Sequence, residues 1–448
     1  MRYLPQSGDE VAAMLKEIGC GGMEELFSSV PKEIALKGEA GLDRGLSEQE
    51  LLDLYYKRAL KNRSLLCVPS FLGAGAYNHY VPVAIDQMLL RSEFYTAYTP
   101  YQPEMAQGTL QAIFEYQSMM AELTGMDAAN ASLYDGASST PEAVLMAHRI
   151  KKGKKVLVAA SLNPFYKETL RTYTRYLEFE IVEIGWTRDG RLDLDAMKKH
   201  VDGNTCAVVA GSPNFFGVVE DIAAIKEALP AENRPLLVTM VAEALSLALL
   251  TPPGRLGADI VAGEARSFGN PIGYGGPALG FITTKKEYAR QIPGRIAGQT
   301  VDKEGRRSFV LTLTTREQHI RREKATSNIC SNEGLCMLAA TIYLSLMGRV
   351  GLRKLAEQNL AKCEYLKKTL KDAGFKMVFD GPTFNEILVE LPFAPEKAAE
   401  KLLSEGIEGG LSVKKFYDGL ANGCLLAVTE LTRKEDIDKL VKLLGGVK

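Results

Sequence analysis

Charge of one sign in excess is missing from this sequence, in which 54 Lys and Arg face 55 Asp and Glu over 448 residues for a formal net charge of -1. Such a balance supplies no field to gather nucleic acid or an anionic membrane, so partners are expected among small molecules and proteins. Paired cysteines are missing too. The seven cysteines, at 20, 67, 206, 330, 336, 363 and 424, are odd in number and form no C-x-x-C, which argues against a disulfide framework or zinc site and leaves buried free thiols as the expectation. Only four histidines occur, at 79, 148, 200 and 319, none in H-E-x-x-H or another ligand spacing, so no metal centre is expected. G-x-S-x-G is absent, which sets aside Ser/His/Asp catalysis. No stretch reaches the roughly 20 uninterrupted apolar residues of a membrane span. The opening Met1 to Glu10 has no apolar core of signal-peptide length, and the expected location is the cytoplasm.

What is present, 46% apolar and 24% charged residues, suits a globular chain with one large domain and one or two smaller ones. Residues 1–65 read as a helical arm, since Val11, Met14, Leu15 and Ile18 recur at helical spacing and Ser47 to Glu50 resembles a capping box. The stretch from about 66 to 105, rich in Gly, Tyr and Pro, reads as ordered loops of the kind that serve a site or an interface. Short apolar runs at 155–159, 179–184, 206–210, 236–241, 259–261 and 278–282 then alternate with helical patterns. That rhythm predicts an α/β fold over residues 66–330, a doubly wound and mostly parallel sheet whose ligands lie at the carboxyl ends of its strands. Residues 331–448 alternate helices with strands at 386–390 and 425–429, a small C-terminal α+β domain.

Three segments could hold chemistry. Asp135 to Glu142 reads as a helix start, capped by Ser139 or Thr140 with Pro141 in the first turn; free amides there can hold a phosphate, and a plain well-capped helix is the alternative. Ile272 to Gly280 is glycine-rich but no helix opens after it, so it is not a nucleotide fingerprint. The basic segment Arg306 to Lys324 is expected to include a helix from Arg316 to Ala325 with a solvated, ion-paired face and an exposed His319. Tyr95, Tyr98 and Tyr101 read either as a site wall or as aromatic packing.

Longer strings are more specific. Arg2 to Pro5, Phe71 to His79, Tyr98 to Glu104 followed by Gln107-Gly108, and Arg316 to Cys330 resemble the glycine dehydrogenase P-proteins, the decarboxylating component of the glycine cleavage system. The likeness is to the N-terminal half of the long single-chain enzyme, which in many bacteria is a separate subunit of an α2β2 assembly. It implies a fold type I pyridoxal-phosphate enzyme. In catalytic relatives a His-Lys pair before the glycine-rich loop carries the cofactor as a Schiff base. Here that stretch reads Ala265-Arg266-Ser267-Phe268, and no lysine occurs between Lys226 and Lys285. Arginine offers no free amine to an aldehyde. The aspartate expected to pair with the pyridine nitrogen is also missing, Glu243 being the nearest carboxylate.

The resemblance therefore implies that pyridoxal 5'-phosphate is held covalently by a lysine-bearing second subunit, with this chain completing the pocket. No catalytic residue is assigned, although Arg266 stands near the expected position. Tyr95, Tyr98, Tyr101 and Gln102 are expected near the pocket, and Thr326, Ser327 and Asn328 near the phosphate of the partner-held cofactor. Glycine and the lipoyl H protein are the other partners. The loop Gly273 to Gly276 and the arm are expected to pack against the second subunit. The alternatives are a decayed, non-catalytic scaffold homologue and a complete enzyme that uses Lys285 or Lys286.

Overall fold

The computed structural model describes residues 5–38, 40–65, 67–329 and 331–447; most of the Arg2 to Pro5 string, and Cys330, lie outside them. The chain divides into two compact units, 1–63 and 64–448.

In the first unit the helices Gly8–Ile18 and Glu48–Ala59 each open on a capping box, Ser7 with Glu10 and Ser47 with Glu50, the second of them legible in the sequence. Neither helix has a buried residue. A segment this short supplies caps and helical spacing but too little apolar surface for a core of its own.

The second unit is organised around a seven-stranded sheet of β1 (Ala128–Ala129), β2 (Lys155–Ala159), β3 (Glu180–Ile184), β4 (Thr205–Gly211), β5 (Leu236–Val241), β6 (Ile260–Glu264) and β7 (Gly280–Thr284), in the order β1-β7-β6-β5-β4-β2-β3. β3, β2, β4, β5 and β6 run parallel, and β7 is antiparallel to β6. Every residue of β2, β4, β5, β6 and β7 is buried. Side chains alternate between two cores: Leu157, Val208, Leu237 and Val261 pack on one face, Val156, Val209, Val238 and Ala262 on the other. That is why these strands read as continuous apolar runs. A hairpin of Ile296–Val301 with Arg307–Thr312 follows.

The helix Gly334–Asp372 has a window of mean hydropathy 1.6 and is long and apolar enough to cross a membrane, but half of that window is buried. Its first part, Cys336 to Leu344, packs in the core of the large sheet, and its last part, Cys363 to Leu370, packs on a second sheet. Gly348, with φ of 55°, kinks the helix between the two. The second sheet is antiparallel, with Glu386–Glu390 and Gly423–Ala427 at its centre and the helices Pro395–Ser404 and Lys434–Gly445 packed on it. Cys206, Cys336, Cys363 and Cys424 are buried free thiols as expected, whereas Cys20 is half-buried and Cys67 exposed.

Candidate functional site

The carboxyl ends of the parallel strands point at the amino end of the helix Gly136–Lys151, where this architecture places its ligand. The helix start differs from the sequence expectation. Asp135, not Ser139 or Thr140, is the cap: its carboxylate accepts from Ser138 N at 2.6 Å, while Pro141 lies inside the helix. A carboxylate one residue before Gly136 reaches the first-turn amides directly, so the later hydroxyls turn back to carbonyls, Ser139 to Asp135 O and Thr140 to Gly136 O. Ser138 N is therefore not free for phosphate. Gly136 N donates to Glu264 Oε2 at 3.1 Å, and the other oxygen of Glu264 accepts from Arg266 N at 3.0 Å and Leu279 N at 2.8 Å. A Cβ added to Gly136 would overlap the Tyr166 hydroxyl. Two carboxylates and a phenol thus close the helix start against an anion.

Next to it lies a buried chain of polar groups that joins the two sheets. Tyr77 Oη donates to Glu386 Oε2 at 2.7 Å, and Ala74 N donates to Oε1 at 2.7 Å. His79 sits between Glu243 Oε2 at 2.8 Å and Glu430 Oε2 at 2.9 Å, and Asn359 Nδ2 donates to Glu430 at 2.8 Å. Burial opposes a charge on His79, but the contacts to Glu243 and Glu430 outweigh it and lift the imidazole to about 10. Burial likewise opposes the charge of Glu430, yet His79 and the Tyr80 amide hold its carboxyl at about 2. Glu386, which has no cation beside it, is pushed by burial up to about 7. Glu243 follows β5, where a pyridine-pairing carboxylate would stand, and here it is bound to His79 and to Leu245 N at 2.8 Å.

Fit to a covalently held pyridoxal phosphate is therefore poor in this chain: no amine stands after β6, two amides of the helix start are taken by carboxylates, and the carboxylate after β5 is spent on an imidazole. Lys285 does not substitute. Its ammonium pairs with Asp259, before the amino end of β6, roughly 15 Å along the strand from the loop after Glu264.

The residues singled out from the sequence gather elsewhere. Tyr95, Tyr98, Tyr101 and Gln102 are all exposed. The rings of Tyr98 and Tyr101 lie 6.2 Å apart, and Tyr98 lines a shallow cavity with Phe94, Asn332 and Leu335. Thr326 and Ser327 line a separate cleft with Arg295, Arg316 and Ser331. Asn328 is exposed and bonds Tyr173. Tyr98 and the Thr326–Ser327 pair thus line two different cavities, on either side of Ser331 and Asn332, and neither is the one at the strand ends. Arg266 lies beside Glu264 as its counter-charge. The expected helix over 316–325 is broken, because Leu313 and Arg322 have φ of 55° and 52° and Arg316 turns inward to donate to Leu313 O and Gly294 O, each at 3.0 Å. Of the residues not picked out by sequence reasoning, Glu264, Glu386 and Glu430 carry no spacing signal; His79 lay at the end of a quoted string.

Comparisons with known proteins agree with this architecture. The family model described as glycine cleavage system P-protein matches residues 1–444. A probable glycine dehydrogenase (decarboxylating) subunit 1 of Koribacter versatilis is 48% identical over 99% of both chains, and one of Desulfitobacterium hafniense is 48% identical over the whole of both. A crystal structure of an inhibitor-bound glycine decarboxylase (P-protein) of the glycine cleavage system is 40% identical, covers 100% of both chains and superposes with a TM-score of 0.91. A Lactobacillus brevis glutamate decarboxylase shares the fold at 13% identity and a TM-score of 0.68, covering 94% of this chain and 97% of its own. The chain belongs to the glycine cleavage system P-protein family.

Proposed function

We propose that this chain is the lysine-free first subunit of a two-chain, decarboxylating glycine dehydrogenase, and that it completes a site whose pyridoxal phosphate is anchored in the second subunit. The observation that carries this reading is the lack of an amine after β6, where Arg266 stands, together with a carboxylate after β5 that is bound to His79, in a chain that aligns end to end with proteins named subunit 1. A chain that cannot hold the cofactor covalently contributes to catalysis through another chain's site. Held there, the cofactor's ring acts as the electron sink when glycine loses its carboxyl group, and the remaining aminomethyl group passes to the lipoyl arm of H protein.

The work left to this chain is positioning. Thr326 and Asn328 offer neutral donors to the partner-held phosphate, with Ser327 beside them once its hydroxyl turns from Glu142, and Tyr95, Tyr98, Tyr101 and Gln102 form a polar-tipped wall that keeps water from the reacting carbon. Two separate surfaces are offered to the second subunit: in the first unit the exposed apolar side chains Phe27 at 62%, Leu36 at 73% and Leu42 at 85%, and in the second unit the Gly273 to Gly276 loop. An obligate interface of this kind buries roughly 2,000 Å2 or more.

The test is the visible absorption spectrum after incubation with pyridoxal phosphate and dialysis. Cofactor absorbance is expected only when the lysine-bearing subunit is present; retention by this chain alone would overturn the reading. Within the reconstituted complex, Tyr98→Phe and Asn328→Ala should lower the decarboxylation rate without preventing assembly, and wild-type rates in both would remove those residues from the site.

A further inference from the structure

The loop that carries Tyr98, Tyr101 and Gln102 is tied to the rest of the fold by few hydrogen bonds. Among the described residues its backbone over 98–106 bonds within itself, Tyr101 N to Thr99 O at 2.8 Å and both Met105 N and Ala106 N to Gln102 O at 3.0 Å. Residues 98–100 border a cavity, and the buried Thr99 hydroxyl has no partner. The helix Gln107–Thr124 that follows opens on Ala106 without a side-chain cap. Neither a cap nor close packing under residues 98–100 fixes the loop.

A side chain from the first turn of that helix supplies the missing bond. Gln107 Nε2 donates to Pro103 O at 2.8 Å and to Phe309 O at 2.9 Å, and its Oε1 accepts from Phe309 N at 2.8 Å. Both amide hydrogens and the carbonyl are thus used, and one residue ties the loop to a strand 202 positions further along the chain. That strand is itself fixed. Gln117, about three turns further along the same helix, makes the same reciprocal pair with the other strand of the hairpin, Nε2 to Ala297 O and Ala297 N to Oε1, each at 2.9 Å. The rings of Phe114 and Phe309 pack between the two pairs with centres 5.5 Å apart. Helix and hairpin are therefore held together at two places, and Gln107 alone extends that hold to the loop.

We propose that Gln107 is a positioning residue: through the Pro103 carbonyl it sets Tyr98, Tyr101 and Gln102 at the partner's site, with the hairpin Ile296–Val301 and Arg307–Thr312 as their fixed support. That the loop stands at a reacting site rests on the subunit reading above; that Gln107 sets its course does not. An amide suits this place and a carboxylate does not, since two of the three bonds go to carbonyls and need donors.

Amide hydrogen exchange of the full chain is the first test. Gln107→Leu should speed exchange over residues 101–106 about tenfold, with the melting curve showing the variant folded. Gln107→Glu should do the same at neutral pH and return toward wild type as pH falls, because a protonated carboxyl donates and accepts where the amide did and the facing carbonyls favour that form. Gln107→Leu has no such recovery. Gln117→Leu removes the sister pair and should loosen Ile296–Val301 while leaving 101–106 unchanged. In the reconstituted complex Gln107→Leu should lower kcat about tenfold at unchanged glycine KM and unchanged cofactor absorbance, and Gln117→Leu should not. Wild-type exchange over 101–106 in folded Gln107→Leu and Gln107→Glu overturns the assignment, as does a wild-type kcat in Gln107→Leu where Tyr98→Phe is slow. Loosened exchange with wild-type kcat in both Gln107→Leu and Tyr98→Phe instead takes the loop out of the reacting site and leaves the hold of Gln107 on it standing.

Discussion

The strand-end pocket and the arginine cleft are both polar, yet they differ in how far their groups are matched. In the pocket most groups have a partner from the chain itself, since Glu264 takes three amides, His79 joins two carboxylates and Tyr77 caps Glu386, and only Arg266 Nε and Asn359 Oδ1 stay open among its described residues. Around the cleft, among the described residues, Arg295, Arg316 and Ser331 each keep an unmatched donor and Glu142 an unmatched acceptor oxygen. A pocket whose ligand has been lost becomes stable by matching its groups internally, because open buried donors and acceptors each cost about 1–3 kcal/mol. The polar groups at the strand ends thus tie the two sheets together, while Arg295, Arg316 and Ser331 are matched less completely.

The sharpest way to break that contrast is His79→Gln. It removes the cation between Glu243 and Glu430 and leaves two carboxylates buried, which should destabilise the chain by about 3–5 kcal/mol in urea denaturation. The pH dependence has a definite sign. With the folded His79 lifted to about 10 from an ordinary 6.5, its stabilisation is complete below 6.5 and is lost as pH rises toward 10. Glu386, raised to about 7, adds loss in the same direction between 4.5 and 7, whereas Glu430, lowered to about 2, contributes above 4.5 and fails as pH falls toward 2. Wild type should therefore weaken between pH 6.5 and 10 while His79→Gln stays nearly flat over that window; parallel curves would mean that the imidazole is not charged in the fold.

Gly136→Ala is a smaller intrusion into the same pocket. The new Cβ would overlap the Tyr166 hydroxyl and come within 3.0 Å of the Glu264 Cβ, so about 1–3 kcal/mol should be lost, part of it regained when Tyr166→Phe removes the oxygen. No loss in thermal unfolding would mean that the helix start has room to spare, and with it room for an anion.

How far the sequence foretold these two regions follows from how each is encoded. The parallel strands are written locally, as apolar runs bounded by turns, and β2 and β5 fall on the runs at 155–159 and 236–241 without a shift. The hairpin at 296–301 and 307–312 was not legible, since its strands are half-exposed and carry few fully buried residues. The pocket was legible only as a loss, through Arg266 in place of a lysine. Its replacement could not be read, because residues 79, 243, 386 and 430 meet only after folding and share no spacing. The arginine cleft was mistaken for a solvated helix for a related reason: charge alone does not tell a side chain facing water from one whose guanidinium turns back onto carbonyls of its own loop and of Gly294.

The smallest expected effect is none, and it bears most directly on whether the pocket is closed or merely lacks its amine. Arg266→Lys restores a lysine within the four-residue stretch Ala265 to Phe268 after β6, beside Glu264 and with a similar apolar stem. If the missing amine were the whole difference, the variant would retain pyridoxal phosphate after dialysis and show its visible absorbance. The contacts predict otherwise: Glu264 and Asp135 occupy the Gly136 and Ser138 amides, two of those that a phosphate would need. Arg266→Lys should remain colourless. A stoichiometric cofactor band would show that the acids yield to phosphate and that the pocket lacks only its amine.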